Sequence, residues 1–174
     1  YRGKVNGYLQ FDVSGFYLQY NNRVGSITPA GASYRLVTNV GSSTSKGFEG
    51  YLEFNPVRAF TKSLKTDLII FGSYGYTDAK YSGDHKDANT KGKKVENAPV
   101  HIFRGGLSAG YMGFLLTWQL SYVGETFSDA NNTVTPSANG QNGVIPAYTV
   151  TDLTATYKFS KNLNIKTGIN NLTD

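Results

Sequence analysis

Arg104 is the side chain best suited to ligand chemistry in this chain, because a planar guanidinium can fork onto a carboxylate through two parallel N–H donors. It shares the parity of Ile102, Gly106, Ser108 and Gly110, so it projects from the more polar side of an extended segment. Two readings stay open for it: contact with an anionic ligand, or a structural pair with an acid such as one near Glu49. Arg35 and Gln141 are weaker candidates of the same kind, each in a long polar connection. A second group comprises Asp12, Glu49, Glu53, Lys65, Asp67, Asp152, Lys158 and Lys166. These fall on the polar parity of successive segments and read either as ion pairs across a wet interior or as plain charge balance within it.

Covalent and metal chemistry find little material. There is no cysteine, which removes disulfides, thiol nucleophiles and zinc–thiolate sites. His85 and His101 are the only histidines, and a solvated or interfacial role is the default for both. Asp84–Asn89 superficially suggests a cation loop but lacks the glycine and terminal glutamate of a calcium hand. Asp129–Asn132 reads as the cap of a turn. No phosphate-cradling glycine loop and no nucleophile–base pair stands out, so the expectation is no catalysis, no protein metal ligand and no cofactor.

The elements that carry these residues are strands. Leu9, Phe11, Val13 and Tyr17 alternate with Gln10, Asp12 and Ser14. The same period of two returns in Phe48–Phe54, in Leu64–Tyr76 and, from Pro99 onward, in Phe103–Tyr111. It continues in Phe114–Tyr122, Leu153–Phe159 and Leu163–Ile169. Breaks fall at Asn6–Gly7, Ser26–Thr38, Asn55–Lys62, Ala79–Ala98, Met112–Gly113, Ala130–Ile145 and Ser160–Asn162, strictly alternating short with long. Tight turns at one end and long loops at the other describe a transmembrane β-barrel wall. A soluble sandwich or lipocalin-like barrel also alternates, but nothing makes it sort loops by length. The apolar parity begins and ends with aromatics, as at two membrane interfaces, and charges are expected only on the opposite parity.

The predicted fold is therefore an all-β transmembrane antiparallel barrel, of which residues 1–174 supply about seven strands, after a strand tail at residues 1–4. An odd number of crossings leaves the two ends on opposite sides of the bilayer. An open edge in hydrocarbon costs several kcal/mol per unpaired backbone group, so the expectation is a piece of a larger barrel. The absence of a signal peptide is read as missing sequence. No run of eighteen apolar residues offers a transmembrane helix. A mean hydropathy of −0.35 fits a barrel, where every second residue faces a polar interior. The net charge of +5 is spread over loops and alternate positions, which argues against nucleic acid and in favour of small anionic cargo.

Residues 145–174 resemble the C-terminal region of TonB-dependent outer-membrane receptors, ending in Gly168-Ile-Asn-Asn-Leu-Thr-Asp174. Lys46-Gly-Phe-Glu-Gly50 is similar to that family's strand start, and Asn97-Ala-Pro-Val-His101 to its return from a loop to a strand. Residues 122–133 resemble the version in receptors of the ferric-citrate type. The resemblance implies a 22-stranded barrel, with a plug domain and a final strand outside these residues. It also implies a TonB contact through an N-terminal region, and energy-driven import of an anionic ferric chelate, ferric citrate or a siderophore, across the bacterial outer membrane. On that reading outer-membrane lipid and lipopolysaccharide surround the wall, and the lumenal charges contact the plug. The lysines of residues 79–98 would attract a chelate or lipid phosphates, although an ordinary solvated loop is their default reading. Participation of a surface lipoprotein is left open. Alternatives are the same fold with cobalamin, haem or an oligosaccharide as cargo, or an outer-membrane lipase or protease using a histidine at the rim.

Overall fold

The computed structural model describes residues 1–27, 29, 32–61, 65–83 and 89–173. In chain order its strands are β1 Arg2–Val5, β2 Leu9–Tyr20, β3 Val24–Ile27, β4 Leu36–Asn39, β5 Ser43–Phe54 and β6 Thr66–Tyr81. They continue with β7 His101–Tyr111, β8 Phe114–Val123, β9 Thr126–Phe127, β10 Val144–Ile145, β11 Tyr148–Lys158 and β12 Asn164–Ile169. Eight of them form one antiparallel sheet in the order β1-β2-β5-β6-β7-β8-β11-β12, a strand tail and seven crossings. The sheet is not closed on itself. β1 and β12 are its edges.

Because opposed residues in a ladder share a face, register decides whether each strand's apolar set joins its neighbour's. Here it does, in every pair. Val5, Leu9, Phe54, Ile70, Leu107, Trp118, Leu153 and Ile169 oppose one another in turn across all eight strands. The row starts beside a tight turn in β2 and finishes at the other end of β12. Such a stagger is what tilted barrel strands require. The opposite face carries its own row: Arg2, Asp12, Tyr51, Ser73, Arg104 and Ser121.

Neither face of the sheet is a dry core. Val13, Leu52, Ile70, Leu107 and Trp118 are all exposed on the apolar side. The chain presents 11313 Å² of accessible surface, against roughly 8,400 Å² for a compact 19.0 kDa protein. An apolar face this continuous is far beyond what a soluble monomer leaves in water. Lipid is the solvent it matches.

Aromatic rings cluster at both ends of that face. Phe48, Tyr74, Tyr76 and His101 form a contiguous group toward the long loops, with centroids 5.6–6.0 Å apart. Tyr8, Phe54 and Phe60 pack edge to face toward the tight turns. Gly105, on the same face, is overlain by the Phe103 ring, whose Cζ lies 2.7 Å from where a Cβ would sit. On the other face a Cβ at Gly106 would sit 2.8 Å from the Phe71 ring and closer still to the Trp118 carbonyl oxygen. These glycines exist for close approach, chiefly of rings.

The connections add structure that alternation alone did not reveal. At the tight end, Met112 and Gly113 take φ of 46° and 88°, the pair of left-handed residues a two-residue hairpin requires. Asn55 opens the one-turn helix α1 (Pro56–Phe60), its side-chain oxygen accepting from the Arg58 N–H at 2.9 Å. At the long end, β3–β4 and β9–β10 are separate two-stranded ribbons within the first and third loops. The expected loop at 26–38 therefore widens to everything between Tyr20 and Ser43. Ile27, Val40, Ala79, Tyr81, Val95 and Ala130 are buried together where the three loops meet, the buried apolar cluster among the described residues.

Charges were expected only on the polar parity, yet Lys46, Asp78 and Lys80 have the parity of Phe48 and Tyr76 and so lie on the outer face. They stand beyond the ring of Phe48, Tyr76 and His101. Past that girdle the wall has left the hydrocarbon, so the constraint against charge no longer applies.

Candidate functional site

Two surfaces gather the polar side chains: the concave face of the sheet and the cap formed by the long loops. On the concave face, strand pairing sets Arg104 between Ser73 of β6 and Ser121 of β8. It borders a hollow of about 660 Å³ that is also lined by Arg2, Asp12, Glu49, Tyr51 and Thr77. Among the described residues the Arg104 guanidinium makes no side-chain hydrogen bond or ion pair, and nor does the Glu49 carboxylate. Both line the same hollow without touching. An uncommitted fork donor on a concave wall is free to receive a carboxylate.

The remaining interior charges are partly matched. Arg2 bridges Asp12 at 2.5 Å, and Arg58 bridges Asp67 at 3.0 Å. Asn55 also donates to Asp67. Glu53 accepts from the Tyr51 hydroxyl at 2.7 Å, and Asp152 from the Asn171 N–H at 3.0 Å. Lys65, Lys158 and Lys166 border a second hollow of about 840 Å³ near the tight turns, together with Arg58 and Asp67. The eight residues thus share one face, with Asp12 and Asp67 in ion pairs and Glu49 unmatched by the wall.

The loop cap brings together two residues that the sequence offered separately. Arg35 and Gln141 line one pocket of about 250 Å³ with Ser33, Tyr34, Asn139 and Asn142. Arg35 donates from Nε to Ser26 Oγ and from Nη2 to the Ser128 carbonyl, both at 2.9 Å. Ser128 Oγ in turn donates to the carbonyls of Gln141 and Gly143. Arg35 therefore ties the first loop to the third while three of its five N–H donors face elsewhere.

Other bonds hold the cap. Asp129 accepts from the Asn131 and Thr133 N–H groups and from Thr133 Oγ1, which makes it the turn cap that its spacing indicated. Asn132 exchanges hydrogen bonds with the Lys94 backbone at 2.7 and 2.8 Å. Thr90 Oγ1 donates to the Val40 carbonyl at 2.6 Å. The Tyr81 hydroxyl, above the outer girdle, donates to Glu96 at 2.5 Å. Burial in the cap raises its pKa above the usual tyrosine range, and the carboxylate adds to that rise. Sequence reading missed the Asn132–Lys94 and Thr90–Val40 links because each joins loops far apart in the chain. The one local signal was the cluster of short polar side chains.

His101 lies on the outer face, its Nδ1 2.7 Å from the Tyr74 hydroxyl and its ring stacked on Tyr74. That is a membrane-interface environment. His85 and the rest of Asp84–Ala88 lie outside the described residues. Among the described residues no three His, Asp or Glu side chains converge as metal ligands would.

A family model described as TonB dependent receptor-like, beta-barrel, matches residues 1–172. The metal-pseudopaline receptor CntO of Pseudomonas aeruginosa is 27% identical over 178 residues, covering 98% of this chain and 22% of that protein. The structure of the unliganded ferric citrate transporter FecA superposes with a TM-score of 0.80 at 23% identity, over 97% of this chain and 25% of that one. The copper transporter OprC gives 0.69 at 17% identity, over 98% and 24%. These relatives are named as receptors and transporters, not as enzymes, and the chain spans about a quarter of their length. A single apolar outer face, a polar concave face, loops sorted by length and a family match over nearly every residue agree: the chain belongs to the TonB-dependent receptor-like β-barrel family.

Proposed function

We propose that this wall is part of an outer-membrane receptor that captures an anionic metal chelate at the cell surface and imports it with energy from TonB, ferric citrate being the leading cargo. The observation that carries the reading is the convergence of Arg35 and Gln141 in one loop-cap pocket, with the uncommitted Arg104 on the bore wall. Guanidinium groups at the mouth and along the wall suit a cargo whose exterior is carboxylate. The chelator holds the metal, so the wall supplies no ligand and no bond is made or broken in the cargo. Further strands would complete the cylinder, and a plug would rest against Glu49 and the lysines of the lower hollow. An N-terminal region would contact TonB, and outer-membrane lipid with lipopolysaccharide would cover the apolar face.

The test is growth of a deletion strain on defined chelates under iron limitation, restored by the full-length receptor. Deletion should abolish use of ferric citrate, and Arg35→Ala with Arg104→Ala should weaken capture by about tenfold or more. Growth on ferric citrate that survives deletion, with failure on another chelate, would transfer the assignment to that chelate. A different metallophore complex is the second reading, favoured by the 27% identity to a metal-pseudopaline receptor. Unchanged uptake of every metal chelate would point instead to cobalamin, haem or an oligosaccharide.

A further inference from the structure

We infer that Lys46 and Lys80, both held by Asp78, together with Lys94 opposite Lys80, whose Nζ stands 5.9 Å from the Phe127 ring centroid, form a binding site for the phosphate groups of outer-leaflet lipid. Lys46 opposes Asp78 in the β5–β6 ladder, and Lys80 opposes Lys94 in a bridge just beyond it. Asp78 and Lys80 are two residues apart on one strand, so all four occupy adjoining positions on the outer face. Asp78 holds both neighbours, Lys80 Nζ at 3.0 Å and Lys46 Nζ at 3.9 Å, which orders the ammonium groups and leaves an excess of positive charge. Side-chain hydroxyls flank the group: Tyr17 opposes Lys46, and Thr44 opposes Lys80.

Position selects the occupant. The cluster lies directly above the girdle of Phe48, Tyr76 and His101, on the face that continues the lipid-facing row. A molecule meeting that surface has its acyl chains below the girdle and its headgroup level with the lysines. Compact ammonium groups with three donors each suit phosphate oxygens. Soluble cargo passes along the opposite face, so the site is separate from the transport path. The inference rests on the reading that the long loops face the cell surface.

The experiment titrates the purified full-length receptor in detergent with diphosphorylated lipid A, with the same lipid dephosphorylated, and with inorganic phosphate. Bound lipid is followed by native mass spectrometry and protection by the melting temperature. The phosphorylated lipid should bind best, and its affinity should fall as salt rises. Lys80→Gln should weaken it on the order of fivefold and the triple Lys46→Gln, Lys80→Gln, Lys94→Gln variant on the order of 100-fold. Without added lipid both variants should melt at the temperature of the unaltered receptor, which verifies their folding. Lys161→Gln, in a turn at the opposite end, should have no effect. Equal binding of dephosphorylated lipid, full competition by inorganic phosphate, or an unaffected triple variant would overturn the inference. Loss of lipid binding in Lys161→Gln alone would overturn the orientation and leave the chelate reading to be judged by uptake.

Discussion

Replacing Leu107 by lysine asks the wall which of its faces meets hydrocarbon. Leu107 lies four residues from Phe103 and four from Tyr111 on β7, opposite Trp118, and is 43% exposed. An ammonium there would stand near the bilayer midplane, where lysine on a barrel's lipid face costs about 2–4 kcal/mol. That corresponds to a folded-to-unfolded ratio lower by about 30- to 700-fold. The matched control is Gln119→Lys on the neighbouring strand β8, whose residue faces the bore and opposes Asp152. The same charge in that position finds water and a carboxylate, so a change within about 0.5 kcal/mol is expected. The assay is denaturant unfolding of the full-length receptor in vesicles, read by tryptophan fluorescence and by the gel-mobility difference between folded and unfolded barrels. A tolerated Leu107→Lys beside a damaging Gln119→Lys would refute the assignment of faces.

Other perturbations test single features. Gly106→Val should lower stability by about 1–3 kcal/mol, since its side chain would collide with the Phe71 ring and the Trp118 backbone. Gly50→Ala has nothing within 4 Å of the added carbon and should leave assembly yield unchanged. Asp129→Ala removes the acceptor for three donors, so limited proteolysis of intact cells should cut residues 124–147 faster while leaving the strands protected. Met112→Asn, at a φ of 46°, should stabilise the hairpin by about 1 kcal/mol, measured as a raised unfolding midpoint.

Much of this architecture is legible in one dimension because a barrel strand has a period of two. Once Leu9, Phe11 and Val13 set a parity in β2, every later strand repeats it, and register merely aligns the rows. Asn6–Gly7 and Met112–Gly113 are equally plain, since both pairs take positive φ. The loop cap was not legible. β3 and β4 have four residues each and β9 and β10 two, too short for alternation to stand out from chance. Ile27, Val40, Tyr81, Val95 and Ala130 are isolated apolar residues in polar stretches, and only the folded loops bring them together. Arg35 and Gln141 stand out by residue type and location alone, and their shared pocket depends on Ser26 and Ser128, which nothing in the sequence links to them. The outward lysines escape the parity rule for a related reason. Parity tells which face a residue occupies, whereas height along the strand decides whether that face is still in lipid.

The most direct test of the wall itself exploits the absence of cysteine from these residues. Single cysteines placed from Phe114 to Val123 in the full-length receptor can each carry a nitroxide, and collision with oxygen or with a water-soluble nickel chelate reports lipid or water. Positions 114, 116, 118, 120 and 122 should favour oxygen, and 115, 117, 119 and 121 the nickel chelate, in strict alternation. A flat profile, or one with the two sets exchanged, would contradict a membrane-spanning wall with a wet bore.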